Sequence, residues 1–120
     1  MLTHEKLVAW RRADDLFVAI HRLAGTLPDI ERFALASQMR RAAYSVPANI
    51  VEGMARRSLA DRARFLNIAE ASLAELNYCL HVCRRLEYLG DDEYRLYEAM
   101  ALRTGAPLAG LLRQVKRIPG

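Results

Sequence analysis

Apolar residues recur in steps of three and four along four stretches of this chain, and nowhere do they alternate with the two-residue period of a strand. In the first stretch, from about Thr3 to Gly25, Leu7, Trp10, Ala13, Phe17, Ile20 and Ala24 trace one helical face, widened by Leu16 and Leu23. Thr3 stands where an N-cap belongs, Gly25 ends the pattern, and Leu27-Pro28 supplies a short turn. A second stretch starts near Asp29, where acidic residues including Glu31 suit a helix N-terminus, and continues to about Arg57. Ser58 caps a third, which reaches about Tyr88 and places Leu66, Ala69, Leu73, Leu76, Leu80 and Cys83 along a bundle seam. Gly90 is expected to close it as a left-handed C-cap, and Asp91-Asp92-Glu93 opens the fourth stretch. That stretch carries Tyr94, Tyr97, Ala101, Leu102, Leu108, Leu112 and Val115. Gly105 and Pro107 predict a kink or break near Thr104, and Pro119-Gly120 ends the chain. The expected fold is all-α: an up-and-down antiparallel four-helix bundle with a proline-kinked second helix, forming one domain over residues 1–120.

The second stretch holds the most informative polar pattern. Gln38, Arg41, Ser45, Asn49, Glu52 and Arg56 follow one another in helical steps and share one side. Beside them Leu35, Met39, Ala42, Val46, Ile50 and Gly53 form an apolar stripe. Amides, a hydroxyl and opposite charges in that order predict a partly buried polar seam whose members serve as one another's partners. Pro47 lies inside it and removes one backbone hydrogen bond at a cost of ~3 kcal/mol. The stripes keep register across Pro47, so one kinked helix is expected rather than two, with Ser45 and Asn49 bonding the freed backbone groups. Gly53, in line with Ala42 and Val46, is expected to let another helix approach closely.

The wording of this stretch resembles a known family: four-helix-bundle proteins encoded in intervening sequences of bacterial 23S ribosomal RNA genes, related to the accessory variability determinant of diversity-generating retroelements. The resemblance lies in Gln38-Met39-Arg40-Arg41-Ala42-Ala43, Ser45-Val46-Pro47-Ala48-Asn49-Ile50-Val51-Glu52-Gly53 and Arg56. It extends to Trp10 with Ala13, Phe65-Leu66, Ile68-Ala69, Ser72-Leu73 and Glu75-Leu76. It implies a homopentamer, a ring of bundles, whose basic surface engages RNA or DNA and a reverse transcriptase or other nucleoprotein.

Composition changes this picture little. The chain has 120 residues, 52% of them hydrophobic, which is enough for a core, and no run long enough to span a bilayer. MLTHEKLVAWRRADD lacks the marks of a secretory signal, so a cytoplasmic protein without a membrane partner is expected. The net charge is +4, mostly from arginine, with pairs at Arg11-Arg12, Arg40-Arg41, Arg56-Arg57 and Arg84-Arg85. Interspersed acids make a mottled monomer surface, which fits solvated helix faces as well as it fits phosphate contact. Arg40, Arg84 and Arg85 lie away from the core stripes and Arg57 at their margin, so these four are the candidate nucleic-acid contacts.

Catalytic chemistry finds no foothold. A carboxylate-bridged metal pair needs Glu-x-x-His, which is absent, and His4, His21 and His81 fall at unrelated positions. Cys79 and Cys83, one turn apart in an apolar run, read as small buried residues rather than a disulfide or zinc site. No nucleophile elbow or phosphate-binding glycine loop occurs, and Glu52 and Glu75 read as hydrogen-bond acceptors. The expectation is a non-enzymatic, cofactor-free scaffold that self-assembles. A protein-only adaptor is the alternative, and a metal or small-molecule enzyme a more distant one.

Overall fold

A computed structural model describes the backbone of residues 3–117 and the side chains of residues 6–116. Four helices fill it: α1 (Thr3–Gly25), α2 (Leu35–Met54), α3 (Leu59–Arg85) and α4 (Asp91–Arg117), with a 3-10 turn at Asp29–Glu31. α2 packs on α1 and α3, α4 packs on α3 and α1, and no diagonal pair brings its backbones within 8 Å among the described residues. Neighbours run antiparallel, because residues early in one helix meet residues late in the next. Arg40 early in α2 reaches His21 late in α1, and Met39 early in α2 meets Cys83 late in α3. Arg84 late in α3 meets Asp91 at the start of α4, while Thr104 reaches Arg12 midway along α4 and α1. The bundle measures 48 × 26 × 18 Å.

The third stretch matches its predicted stripe: Leu66, Ala69, Leu73, Leu76, Leu80 and Cys83 are all buried. The first is rotated from expectation. Ala9, Ala13, Leu16, Ile20, Leu23 and Ala24 face the core, whereas Leu7 and Trp10 lie at the surface. α1 has only two neighbours, so the core-facing stripe is narrower than the apolar residues available to it. On α4, Leu102 is 67% exposed, and Thr104 and Leu111 hold the core instead.

Element ends also differ from the sequence reading. α2 begins at Leu35 rather than near Asp29, because Pro28 opens a separate 3-10 turn. Ala34 offers α2 no side-chain cap; the Glu31 carboxylate instead accepts from the Leu35 N–H at 3.4 Å. At α3, Ser58 accepts from the Asp61 N–H at 3.1 Å as a cap should. Its C-terminal left-handed residue is Glu87, with φ 63°, and not Gly90, which has negative φ. The Tyr88 N–H closes onto the Cys83 carbonyl at 2.8 Å and the Glu87 N–H onto Arg84 at 3.0 Å, a Schellman pair with Glu87 in the left-handed position just after the Leu86 cap. Position along the turn decides which residue must adopt positive φ, and Gly90 comes three residues too late. α4 continues through Thr104 and Pro107 without the expected break. The capping role expected of Thr3, and the Pro119-Gly120 end, lie outside the described side chains.

Candidate functional site

α2 supplies the centre of the polar pattern and α3 completes it. Asn49 Nδ2 donates to the Ser45 carbonyl at 2.7 Å and to Ser45 Oγ at 2.8 Å. Ser72 on α3 donates its hydroxyl to the same Ser45 Oγ at 2.7 Å, so one hydroxyl receives two donors where the two helices meet. Asn49 does not reach the carbonyl that Pro47, lacking an N–H, leaves without its helical donor. That carbonyl is on Ala43, and an amide at residue 49 lies beside residue 45, one turn below it. Ser72 entered the sequence analysis only as part of the family resemblance and not as a seam member, although a lone hydroxyl between Ala69 and Leu73 on an otherwise apolar face was its signal.

The outer members of the pattern belong to solvent. Gln38 accepts from Arg41 at 2.9 Å, and Glu52 pairs with Arg56 at 2.8 Å, both on the exposed surface. Such pairs contribute a few tenths of a kcal/mol, about 0.3–0.5, because water competes for both partners. Arg56 also covers the Phe65 ring at 4.8 Å. Gly53 is buried where a Cβ would stand 3.1 Å from Phe65 Cβ and 3.2 Å from the Arg62 carbonyl oxygen. Backbone therefore meets backbone closely where this end of α2 crosses α3.

The four candidate arginines divide. Arg40 is not turned outward: it is half-buried and donates to the His21 carbonyl at 3.2 Å, near the negative end of the α1 dipole. Arg84 pairs with Asp91 at 3.0 Å and lies over the Tyr94 ring at 5.0 Å. Arg57 and Arg85 are exposed and enter no ion pair among the described residues. Arg84 and Arg85 line an open cleft with His81, Glu87 and Gly90.

Tyr88, set by the turn after α3, donates its hydroxyl to Glu31 at 2.7 Å, and this bond raises its pKa. Cys79 and Cys83 are free and buried. Burial pushes the Cys83 thiol up to about 11, and its sulfur lies 3.5 Å from that of Met39. Among the described residues no three His, Cys, Asp or Glu side chains gather as a metal ion would require. His21 tilts against Phe17, and His81 stacks on Tyr78. No described helix is long and apolar enough to cross a membrane.

Two apolar surface features were not foreseen. Leu7 and Trp10 of α1, with Ile50, Val51 and Met54 of α2 and Ala55 just after it, line a cleft of about 300 Å3 whose charged member is Lys6. At the other end of α1, the 3-10 turn presents Ile30 at 82% exposure and the turn that follows it presents Phe33 at 86%.

Residues 5–110 match the family model described as 23S rRNA-intervening sequence protein. The chain belongs to that family. No curated protein matches it. A solved structure of a protein with unknown function from the S23 ribosomal protein family of Bacteroides thetaiotaomicron superposes with a TM-score of 0.85 at 25% identity. The match covers 91% of this chain and 98% of that one. The four-helix-bundle fold of this family member thus has a solved counterpart along nearly its whole length.

Proposed function

We propose that the protein is a non-enzymatic scaffold that assembles with copies of itself, as a homopentamer, and presents a basic surface to RNA or to a nucleoprotein such as a reverse transcriptase. The observation that carries this reading is the apolar α1–α2 surface. Leu7, Trp10 and Val51 keep 44%, 36% and 56% of their surface exposed. Contiguous apolar surface of this kind marks sites of association. A ring of copies multiplies the net charge of +4 and repeats Arg57 and Arg85, which stand about 40 Å apart at opposite ends of α3, as two separate basic bands.

Light scattering in moderate salt should return a mass several times 13.6 kDa. A stable monomer at micromolar concentration would remove the scaffold. RNA retention should fall steeply with salt and little with sequence, because binding to phosphates releases counterions. Arg57→Gln with Arg85→Gln should weaken retention and flatten the salt slope by roughly one for each phosphate that is no longer neutralised.

One observation favours the protein-only adaptor. Arg40 and Arg84, half of the candidate phosphate-binding arginines, are engaged within the chain. An assembled protein that holds no RNA or DNA at low salt would decide for the adaptor.

A further inference from the structure

The cleft and the exposed turn sit at opposite ends of α1, and they differ in shape and in charge. Ile30 and Phe33 stand clear of the bundle, and the Arg32 guanidinium lies 5.2 Å over the Phe33 ring. Single exposed apolar residues are ordinary. Two large ones in and just after the 3-10 turn, each more than four-fifths exposed, form a knob. The cleft between α1 and α2 is a concave surface of the matching chemistry. From these two features we infer that the Ile30–Phe33 knob of one copy docks into the Leu7–Trp10–Val51–Met54 cleft of a second copy. This inference rests on the self-assembly reading and names the surfaces that carry it.

Three arguments select a second copy as the occupant. The knob cannot fill its own cleft, because Leu7 to Gly25 spans 18 helical steps, roughly 27 Å of rigid α1. Charge is complementary: the turn carries Asp29 and Glu31 against Arg32, whereas the charged residue at the cleft is Lys6. The symmetrical alternative is worse. Pairing cleft with cleft would bring two Lys6 ammonium groups together and leave Ile30 and Phe33 in water.

An interface between two different surfaces is heterologous, and repeated copies either close into a ring or continue as a filament. A reciprocal pair, in which each copy's knob fills the other's cleft, would instead close as a two-fold dimer, and the wild-type mass tells the two apart. The knob also gives the Tyr88–Glu31 bond a use: by tying the 3-10 turn to the end of α3, it holds Ile30 and Phe33 in a fixed place.

The test uses the full chain with one surface disabled at a time. Phe33→Asp removes the knob, and Val51→Glu puts a charge into the cleft opposite Asp29 and Glu31. Both positions are exposed, so far-UV circular dichroism and Tm should stay at wild-type values. Each variant alone should lose the wild-type oligomer and run as a monomer by light scattering. Mixed in equal amounts they should give a dimer and nothing larger, because the mixture retains one intact knob and one intact cleft per pair. A wild-type oligomer that persists in Phe33→Asp overturns the knob while leaving self-assembly standing. Variants that stay monomeric after mixing overturn the pairing of these two surfaces. A monomeric wild type would instead overturn the self-assembly reading itself.

Discussion

α2 and α4 each contain the same three ingredients, a hydroxyl residue, a proline and a glycine. In α2 they are Ser45, Pro47 and Gly53; in α4 they are Thr104, Gly105 and Pro107. Both helices continue through their prolines, yet the surroundings differ. Ser45 is half-buried and joins side chains of two helices, through Asn49 and Ser72. Thr104 is fully buried, and its hydroxyl turns to backbone, lying 3.0 Å from the Met100 carbonyl and 3.2 Å from that of Arg12. The glycines differ more. An added Cβ at Gly53 meets the Arg62 carbonyl and the Phe65 Cβ, which move only if a helix moves. At Gly105 it meets Leu73 Cδ2 at 3.3 Å, the tip of a side chain that can turn aside. Identical residue types thus act differently according to whether the neighbouring helix presents backbone or side-chain ends.

The largest expected effect tests that contrast. Gly53→Val should destabilise by about 3 kcal/mol, because extra methyl groups there force α2 and α3 apart. Gly105→Ala should leave stability at or slightly above wild type, since the ~1 kcal/mol gain in helix propensity offsets a small shift of Leu73. Chemical denaturation of the two variants measures both, and equal losses would erase the distinction.

Next in size are the hydroxyl networks. Asn49→Ala should cost about 1–3 kcal/mol by removing both donors that Ser45 receives from α2. Thr104→Val keeps the shape and loses one hydrogen bond, for about 1 kcal/mol. If Asn49→Ala unfolds like wild type, the Ser45 centre contributes nothing and the two helices are alike in this respect. Asn49→Leu should leave a folded chain that assembles less uniformly, read by light scattering.

The last expected effect is a pH dependence to which Cys83, on the α2–α3 side, contributes. Cys83 holds its proton more tightly folded than unfolded, with a pKa raised from 9.0 to about 11. Its contribution is therefore fully present below pH 9 and is lost as pH rises through about 11. Denaturation midpoints should fall between those values in the wild type and fall less in Cys83→Ala. An equal fall in both would assign the alkaline loss elsewhere, to groups such as Tyr88.

Four helices, their order and the α3 stripe were legible in the chain, because apolar spacing reports which side of a helix must leave water. The six-residue pattern on α2 was legible as a line but not as a depth. Gln38, Arg41, Glu52 and Arg56 lie at the surface, whereas Ser45 and Asn49 are half-buried. Nothing in the one-dimensional pattern states how close α3 comes to each turn. Ser72 and Thr104 were missed as hydrogen-bonding residues for a related reason. A lone hydroxyl in an apolar stripe gains meaning only from the atom facing it, and those atoms are 27 and 92 residues away.

The sequence alone determined local quantities here: helical periodicity and the Ser58 cap. Tertiary structure decided the rest. It turned Arg40 inward to the end of α1, placed the left-handed residue at Glu87 rather than Gly90, and left Leu7, Trp10, Ile30 and Phe33 in water. The reason is one of range. Periodicity and capping are set by neighbours within a helical turn, whereas burial, dipole interactions and unpartnered surface depend on which distant helix arrives and on how near its backbone can come.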